Sequence, residues 1–266
     1  LQQTKMKRFY SNNIQNNFIY LENEEAQHCT KVLRGKIGDK VEVLNGNGKL
    51  FIGELTNIQK HEVQIEIIQI LKEEKENANK LSIAICPTKN PARLEWFLEK
   101  ATEIGIDKIY PIISERTEKQ TIKTERLHQI IISAAKQSGQ LFFPFLHEIQ
   151  SLKEFYNSTT SQFSNYFIAH CEDEISTNNN LKIDILSAQI KNNKENSEKK
   201  KHLKNVYKKD ETALLLIGPE GDFTKTEVQY AVNKNYTPIS LGNSILRVET
   251  AGVYACSVVS MINDEF

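Results

Sequence analysis

A chain of 266 residues, 39% of them apolar, carries enough material for a packed core in one large or two modest domains, and its 34 basic and 34 acidic side chains cancel to zero formal charge. Overall charge therefore gives no general pull toward nucleic acid, and any RNA contact has to come from local basic patches. No stretch approaches the roughly 18 consecutive apolar residues of a membrane-spanning helix, and the polar opening LQQTKMKRFY has no signal-peptide apolar region, so a cytoplasmic protein is expected.

From Lys7 to Leu71 the sequence reads as short strands: VEVLN, a turn at Gly46-Asn47-Gly48, LFIGEL, and the alternating EVQIEIIQI. This pattern predicts a small β-barrel or sandwich. The charged, aperiodic KEEKENANK that follows reads as a linker, which separates a first domain at 6–72 from a second at 80–266. Cys29, Cys86, Cys171 and Cys256 are scattered, with no C-x-x-C pair and no clustered histidine. Neither a zinc site nor a disulfide framework is expected, only reduced and mostly buried thiols.

Beyond the linker the rhythm becomes strand, helix, strand, with LSIAIC, PARLEWFLEKATEIG and IDKIYPII, the signature of a parallel α/β sheet. In the first of these helices Pro91 suits the N-terminal turn and Gly105 the C-terminal cap, while Leu94, Leu98, Ala101 and Ile104 fall at helical spacing. A second helix is predicted from about Thr124 through IIISAAKQSG. NYFIAH and ALLLIG read as buried strands, and Thr224 with Glu227 makes a capping box that opens another helix. TPISLG and the terminal helix ETAGVYACSVVSMI complete the pattern. Residues of about 172–210, rich in Asn, Lys, Glu and Ser, predict a flexible surface insertion.

Two glycine-containing loops, Gly218-Pro219-Glu220-Gly221 and Gly242-Asn243-Ser244, each follow an apolar strand and precede a helix, the position where ligands bind in open α/β sheets. Neither loop matches G-x-G-x-x-G or G-x-x-x-x-G-K-[ST], which disfavours a dinucleotide fold and a P-loop. Arg247 and Glu249 flank the start of the last helix. Glu249 complements a helix N-terminus there and Thr250 is a candidate cap, and the same charges suit the wall of a site.

IGPEGDFTKTEV followed by SLGNSILRVETAGVYA resembles the paired signature of the ribosomal RNA small subunit methyltransferase E family, the uridine N3-methyltransferases of the SPOUT superfamily. MKRFY, HCTKVLRGKIGDKVEVLNGNG, TKNPARLEWFLEKATEIGIDKIYPIISERT and AAKQSG with Pro144 fall in the family's order, so the resemblance covers almost the whole chain. It implies a PUA-like β-barrel followed by an α/β SPOUT domain with a deep C-terminal trefoil knot, which periodicity alone cannot indicate because knots are so rare. It further implies a homodimer that uses S-adenosyl-L-methionine to make N3-methyluridine in the decoding region of 16S ribosomal RNA, with free rRNA or the small ribosomal subunit as partner and no metal. Carried over residue by residue, the cofactor loops are Leu216, Ile217, Gly218, Pro219, Glu220 and Gly221, then Leu241, Gly242, Ile245, Leu246 and Thr250. The sequence departs from the family pattern at Lys136, Gln140 and Val248.

Uridine N3 carries a proton, so transfer needs a base or a group that stabilises the anion. Arg247 is the expected electrostatic stabiliser and Glu249 the candidate base or cofactor-orienting group. Phosphate contacts are expected from Lys7, Arg8, Lys31, Arg34 and Lys36 in the first domain and from Arg93 and Arg116 in the second. Phe9, Tyr10 and Phe223 are candidates for stacking on an extruded base. The alternatives are a SPOUT methyltransferase acting on another RNA, or a non-catalytic RNA-binding protein.

Overall fold

The structure, a computed structural model, describes residues 6–159, 161–171 and 200–264. The N-terminal strands are β1 (Arg8–Tyr10), β2 (Ile14–Gln15), β3 (Phe18–Glu22), β4 (Lys40–Leu44), β5 (Lys49–Ile58) and β6 (Glu62–Glu73), in the order β1-β4-β5-β6-β3-β2. Helix α1 (Asn23–Gln27) runs into a π-helical turn at His28–Val32 before β4. Alternation decides which side chains enter the core: Val63 and Ile65 of β6 and Ile19 and Leu21 of β3 are buried beside Phe9 and Leu55, while Gln64 between the β6 pair is half-buried and Glu66 after it is exposed.

The second part runs β7 (Leu81–Ile85), α2 (Pro91–Ile104), β8 (Lys108–Ile113), α3 (Thr124–Ser138), β9 (Phe145–Leu146), β10 (Gln150–Ser151), α4 (Leu152–Thr159) and β11 (Asn165–Ala169). It continues with β12 (Lys201–His202), α5 (Leu203–Val206), β13 (Ala213–Ile217), α6 (Lys225–Asn233), β14 (Thr237–Ser240) and α7 (Val248–Asn263). The strands form a parallel sheet of order β10-β8-β7-β13-β11-β14-β12, with β9 attached to β8. Every residue of β13 is buried, as a central strand covered on both faces requires. Leu215 and Ile217 join the core beneath α2, α3 and α7, while Leu214 and Leu216 join the core on the opposite face, beneath α4 and α6.

Local signals behave as expected at several ends. Asn90 caps α2 by accepting from Ala92 N at 3.1 Å with Pro91 in the first turn, and Gly105 and Gly139 follow α2 and α3. Thr224 and Glu227 close their capping box on α6. Helix α7 lies hard against α2, because a Cβ at Gly252 would sit 2.4 Å from the Phe97 ring. The start of α7 differs from expectation: Arg247 occupies the N-cap position and Thr250 falls inside the first turn.

The flexible insertion expected at about 172–210 does not hold for its last residues, 200–210. Residues 172–199 lie outside the described residues, whereas Lys201–His202 adds a strand to the sheet edge beside β14 and Leu203 and Tyr207 are buried. Two well-placed apolar residues in HLKNVYKKD anchor this stretch, a detail that average composition hides. Among the described residues no helix is long and apolar enough to cross a membrane and no cluster of three or more His, Cys, Asp or Glu could hold a metal. Cys29, Cys86 and Cys256 are buried and Cys171 is exposed.

Candidate functional site

β13 sits between β7 and β11 although the chain reaches it after both, and β14 then takes the far side of β11. Strand order switches there, so the loops leaving β11, β13 and β14 diverge and leave a crevice at their carboxyl ends. The crevice is a cavity of about 760 Å³. Gly218, Pro219 and Glu220 form one wall, Leu241, Gly242 and Ile245 another, and Ile217, Ile239, Leu246 and Ala251 supply apolar surface.

Gly242 has φ +125°, a backbone state that L side chains rarely adopt, and nothing lies within 4 Å of where its Cβ would be. The loop is held locally by Ser240 Oγ, which accepts from Gly242 N at 3.1 Å and donates to Gly242 O at 3.0 Å. On the opposite wall Asp222, itself at φ 61°, accepts from Cys171 N at 2.8 Å and so ties the β11 loop to the β13 loop. Lys200 Nζ donates to His170 O at 2.6 Å beside the same cavity. Asp222 was not singled out from sequence, although an Asp that follows a Gly and precedes a helix cap is a known turn signal.

Three charged side chains meet where α2 and α7 begin. Glu220 Oε1 accepts from Lys89 N at 3.1 Å and lies 3.8 Å from Arg93 Nη1, and Arg93 Nε lies 3.8 Å from Glu249 Oε1. Glu249 is only 8% exposed, and its Oε2 is buried without a hydrogen-bond partner. It stands behind the cavity, in the first turn of α7, where the helix dipole favours its negative charge. Arg247 lines the cavity, is exposed and makes no ion pair among the described residues.

The expected cofactor residues are therefore mostly brought together. Ile217, Gly218, Pro219, Glu220, Leu241, Gly242, Ile245 and Leu246 line the cavity. Leu216 does not: as the neighbour of Ile217 on a strand it points to the opposite core. Gly221 lies just outside, with its carbonyl accepting from Arg116 Nη1 at 2.7 Å, and Thr250 is exposed away from the cavity.

The expected phosphate contacts divide. Arg8 is committed internally, donating to Glu42 Oε2 at 2.7 Å and to Lys136 O at 2.9 Å, and Lys7 donates to Leu33 O at 2.7 Å. Lys136 pairs with Glu25 and Gln140 donates to Glu103 O, so two of the three positions that depart from the family pattern make internal contacts. Lys31, Arg34 and Lys36 are exposed on the turn between α1 and β4, Arg116 is exposed at Gly221, and Arg93 belongs to the cavity. Phe9 and Phe223 are buried, and Tyr10 packs on Phe143 with ring centres 4.8 Å apart, so none of the three aromatic candidates stands free.

The family described as RNA methyltransferase domain matches residues 75–260, and that described as RNA methyltransferase PUA domain matches residues 21–68. The chain is 28% identical, over 97% of its length and 96% of the other, to a protein of Rickettsia conorii named ribosomal RNA small subunit methyltransferase E. It superposes on a probable rRNA-methyltransferase from Porphyromonas gingivalis with a TM-score of 0.78 and 31% identity, covering 97% of this chain and 98% of that one. A ribosomal RNA small subunit methyltransferase E from Neisseria gonorrhoeae bound to S-adenosyl methionine shares the fold, with a TM-score of 0.75, 24% identity and coverage of 97% and 98%.

Proposed function

The chain belongs to the RNA methyltransferase family, and on that premise we propose that it is a cytoplasmic 16S rRNA (uracil-N3)-methyltransferase that draws its methyl group from S-adenosyl-L-methionine. The observation that carries this reading is the cavity of about 760 Å³ at the strand switch point. Its chemistry fits the cofactor: apolar Ile217, Ile239, Leu246 and Ala251 suit an adenine face, and the main chain at Gly218 and around the side-chain-free Gly242 is open to its polar edges. The names of the Rickettsia and Neisseria relatives point to ribosomal RNA, and that of the Neisseria structure also to this cofactor.

When bound, S-adenosyl-L-methionine supplies an electrophilic methyl group on a sulfonium. The residues of this chain then have two tasks. They hold the uracil ring so that N3 faces that group, because orientation alone removes much of the barrier. They also stabilise the ring as N3 gives its proton to solvent water and takes the methyl group in its place. Arg247, an exposed guanidinium on the cavity wall with no carboxylate among the described residues to neutralise it, is suited to the negative charge that grows on the uracil carbonyl oxygens. Glu249 does not reach the cavity surface, so it acts as a positioning residue through Arg93 rather than as the base.

The family resemblance supports a trefoil knot in the C-terminal part and a homodimer. Exposed Trp96 on α2 and Tyr254 and Met261 on the adjoining α7 offer apolar surface for a second copy. Thermal unfolding with and without S-adenosyl-L-methionine tests the cofactor: a ligand that binds only the folded chain raises Tm with concentration, and a Tm that does not move at millimolar cofactor overturns the proposal.

A further inference from the structure

A second cavity, of about 290 Å³, opens on the same edge of the parallel sheet and shares no lining residue with the first. The first turns of α2 separate the two: Pro91, Leu94 and Glu95 line the second cavity and Arg93 lines the first. Its floor is apolar, made by Pro87, Pro91, Leu94, Ile122 and Leu127. Its rim is cationic, made by Lys119, Lys123 and Arg126.

Charge on the rim is unevenly committed. Arg126 is held by Glu95 in a two-pronged pair at 2.5 and 2.8 Å, whereas among the described residues the ammonium groups of Lys119 and Lys123 have neither an ion pair nor a hydrogen-bond partner, Lys123 acting on Glu95 only from a distance. The first turns of α2 and α3 both border this cavity, and α3, unlike α2, has no side chain capping its N-terminus. Two positive helix ends and two unpaired lysines around an apolar floor favour a ligand that is flat and apolar at one end and anionic at the other.

A nucleotide has that chemistry. We propose that this cavity receives a nucleotide of the substrate RNA next to the one that is methylated, with its base on the Pro91–Leu94–Ile122 floor and its phosphate between Lys119, Lys123 and the start of α3. The inference rests on the reading of the chain as an RNA methyltransferase. It makes the wall between the cavities, the start of α2, a divider that splays two adjacent nucleotides into separate pockets.

Two variants of the full-length protein test it, Lys119→Ala with Lys123→Ala, and Thr121→Trp, which fills the cavity from its rim. The probe is a transcribed 16S rRNA fragment spanning the decoding region, titrated from low to moderate salt, with S-adenosyl-L-methionine affinity measured in parallel. Both variants should bind the RNA on the order of tenfold more weakly with unchanged cofactor affinity, and the lysine variant should reduce the salt slope by roughly 1 to 2. Wild-type RNA affinity in both variants overturns the proposal. So does weakening by the lysine variant alone, since that marks surface phosphate contacts without a base pocket. A wild-type protein that methylates no rRNA fails the underlying reading instead, and is recognised before either variant is made.

Discussion

Arg93 Nε and Glu249 Oε1 lie 3.8 Å apart where α2 meets α7, and this contact joins the helix that divides the two cavities to the helix that ends the chain. Glu249 is buried with one oxygen unpartnered, so Arg93 is its compensating charge. Removing one partner of a buried pair strands the other. Arg93→Ala should therefore destabilise the fold by about 1–3 kcal/mol in denaturant melts, and combination with Glu249→Gln should recover part of that loss. Additive losses would show that the pair is not coupled.

Arg247 makes a different prediction, because it is exposed and bonded to no carboxylate among the described residues. Arg247→Ala should leave Tm within about a degree or two, as surface substitutions do. Its kcat should fall by roughly 10²–10³, the usual loss when one stabiliser of developing negative charge is deleted. Methyl transfer on 16S rRNA at near-normal rate would remove Arg247 from the mechanism.

Two glycines that look alike in sequence should respond oppositely. Gly242 has φ +125°, so Gly242→Ala forces strain of about 1–3 kcal/mol onto the cavity loop and should weaken S-adenosyl-L-methionine binding accordingly. Gly221 has no positive φ and its Cβ would meet Arg116 at an ordinary 3.5 Å, so Gly221→Ala should leave folding stability unchanged. Calorimetric cofactor titration and thermal melts of the two variants check both statements.

His147 sets a pH dependence of stability. Burial, reinforced by nearby Lys108, pushes its pKa down from 6.5 to about 4, and its ring stacks on Tyr110 with centres 3.9 Å apart. Above pH 6.5 the ring is neutral in folded and unfolded chains alike and its contribution is fully present. As pH falls from 6.5 toward 4 the unfolded chain takes up a proton that the folded chain refuses, so stability falls. The wild-type stability curve should drop more steeply than that of His147→Phe across this window. Parallel curves would contradict the assignment.

The parts of the fold that were legible in the sequence are those written locally. Pro91, Gly105 and the Thr224–Glu227 box mark helix ends because each satisfies or spares a backbone group within a few residues. The continuous apolar run ALLLI marks a doubly covered strand for the same kind of reason. The glycine loops at Gly218 and Gly242 could be placed at strand ends and hence near a ligand. The inward or outward sense of Leu216 was available from two-residue periodicity, which sets it opposite Ile217.

What the sequence hides is set by partners far along the chain. Arg93 is indistinguishable from a surface arginine until β13 inserts beside β7 and brings Glu220 and Glu249 to it. Arg8 looks like an RNA contact, yet its charge is met by Glu42, and the charge of Lys136 on α3 is met by Glu25 in the first domain. Lys119 and Lys123 carry no motif, and only the convergence of α2 and α3 gives them a shared cavity.

Incubating the protein with 16S rRNA or small ribosomal subunits and methyl-labelled S-adenosyl-L-methionine, then digesting the RNA to nucleosides for mass spectrometry, tests the central claim most directly. The account predicts label in N3-methyluridine at one decoding-region position, entering roughly 10²–10³ more slowly with Arg247→Ala. Label in a ribose or in another base, or no label in RNA at all, would contradict it.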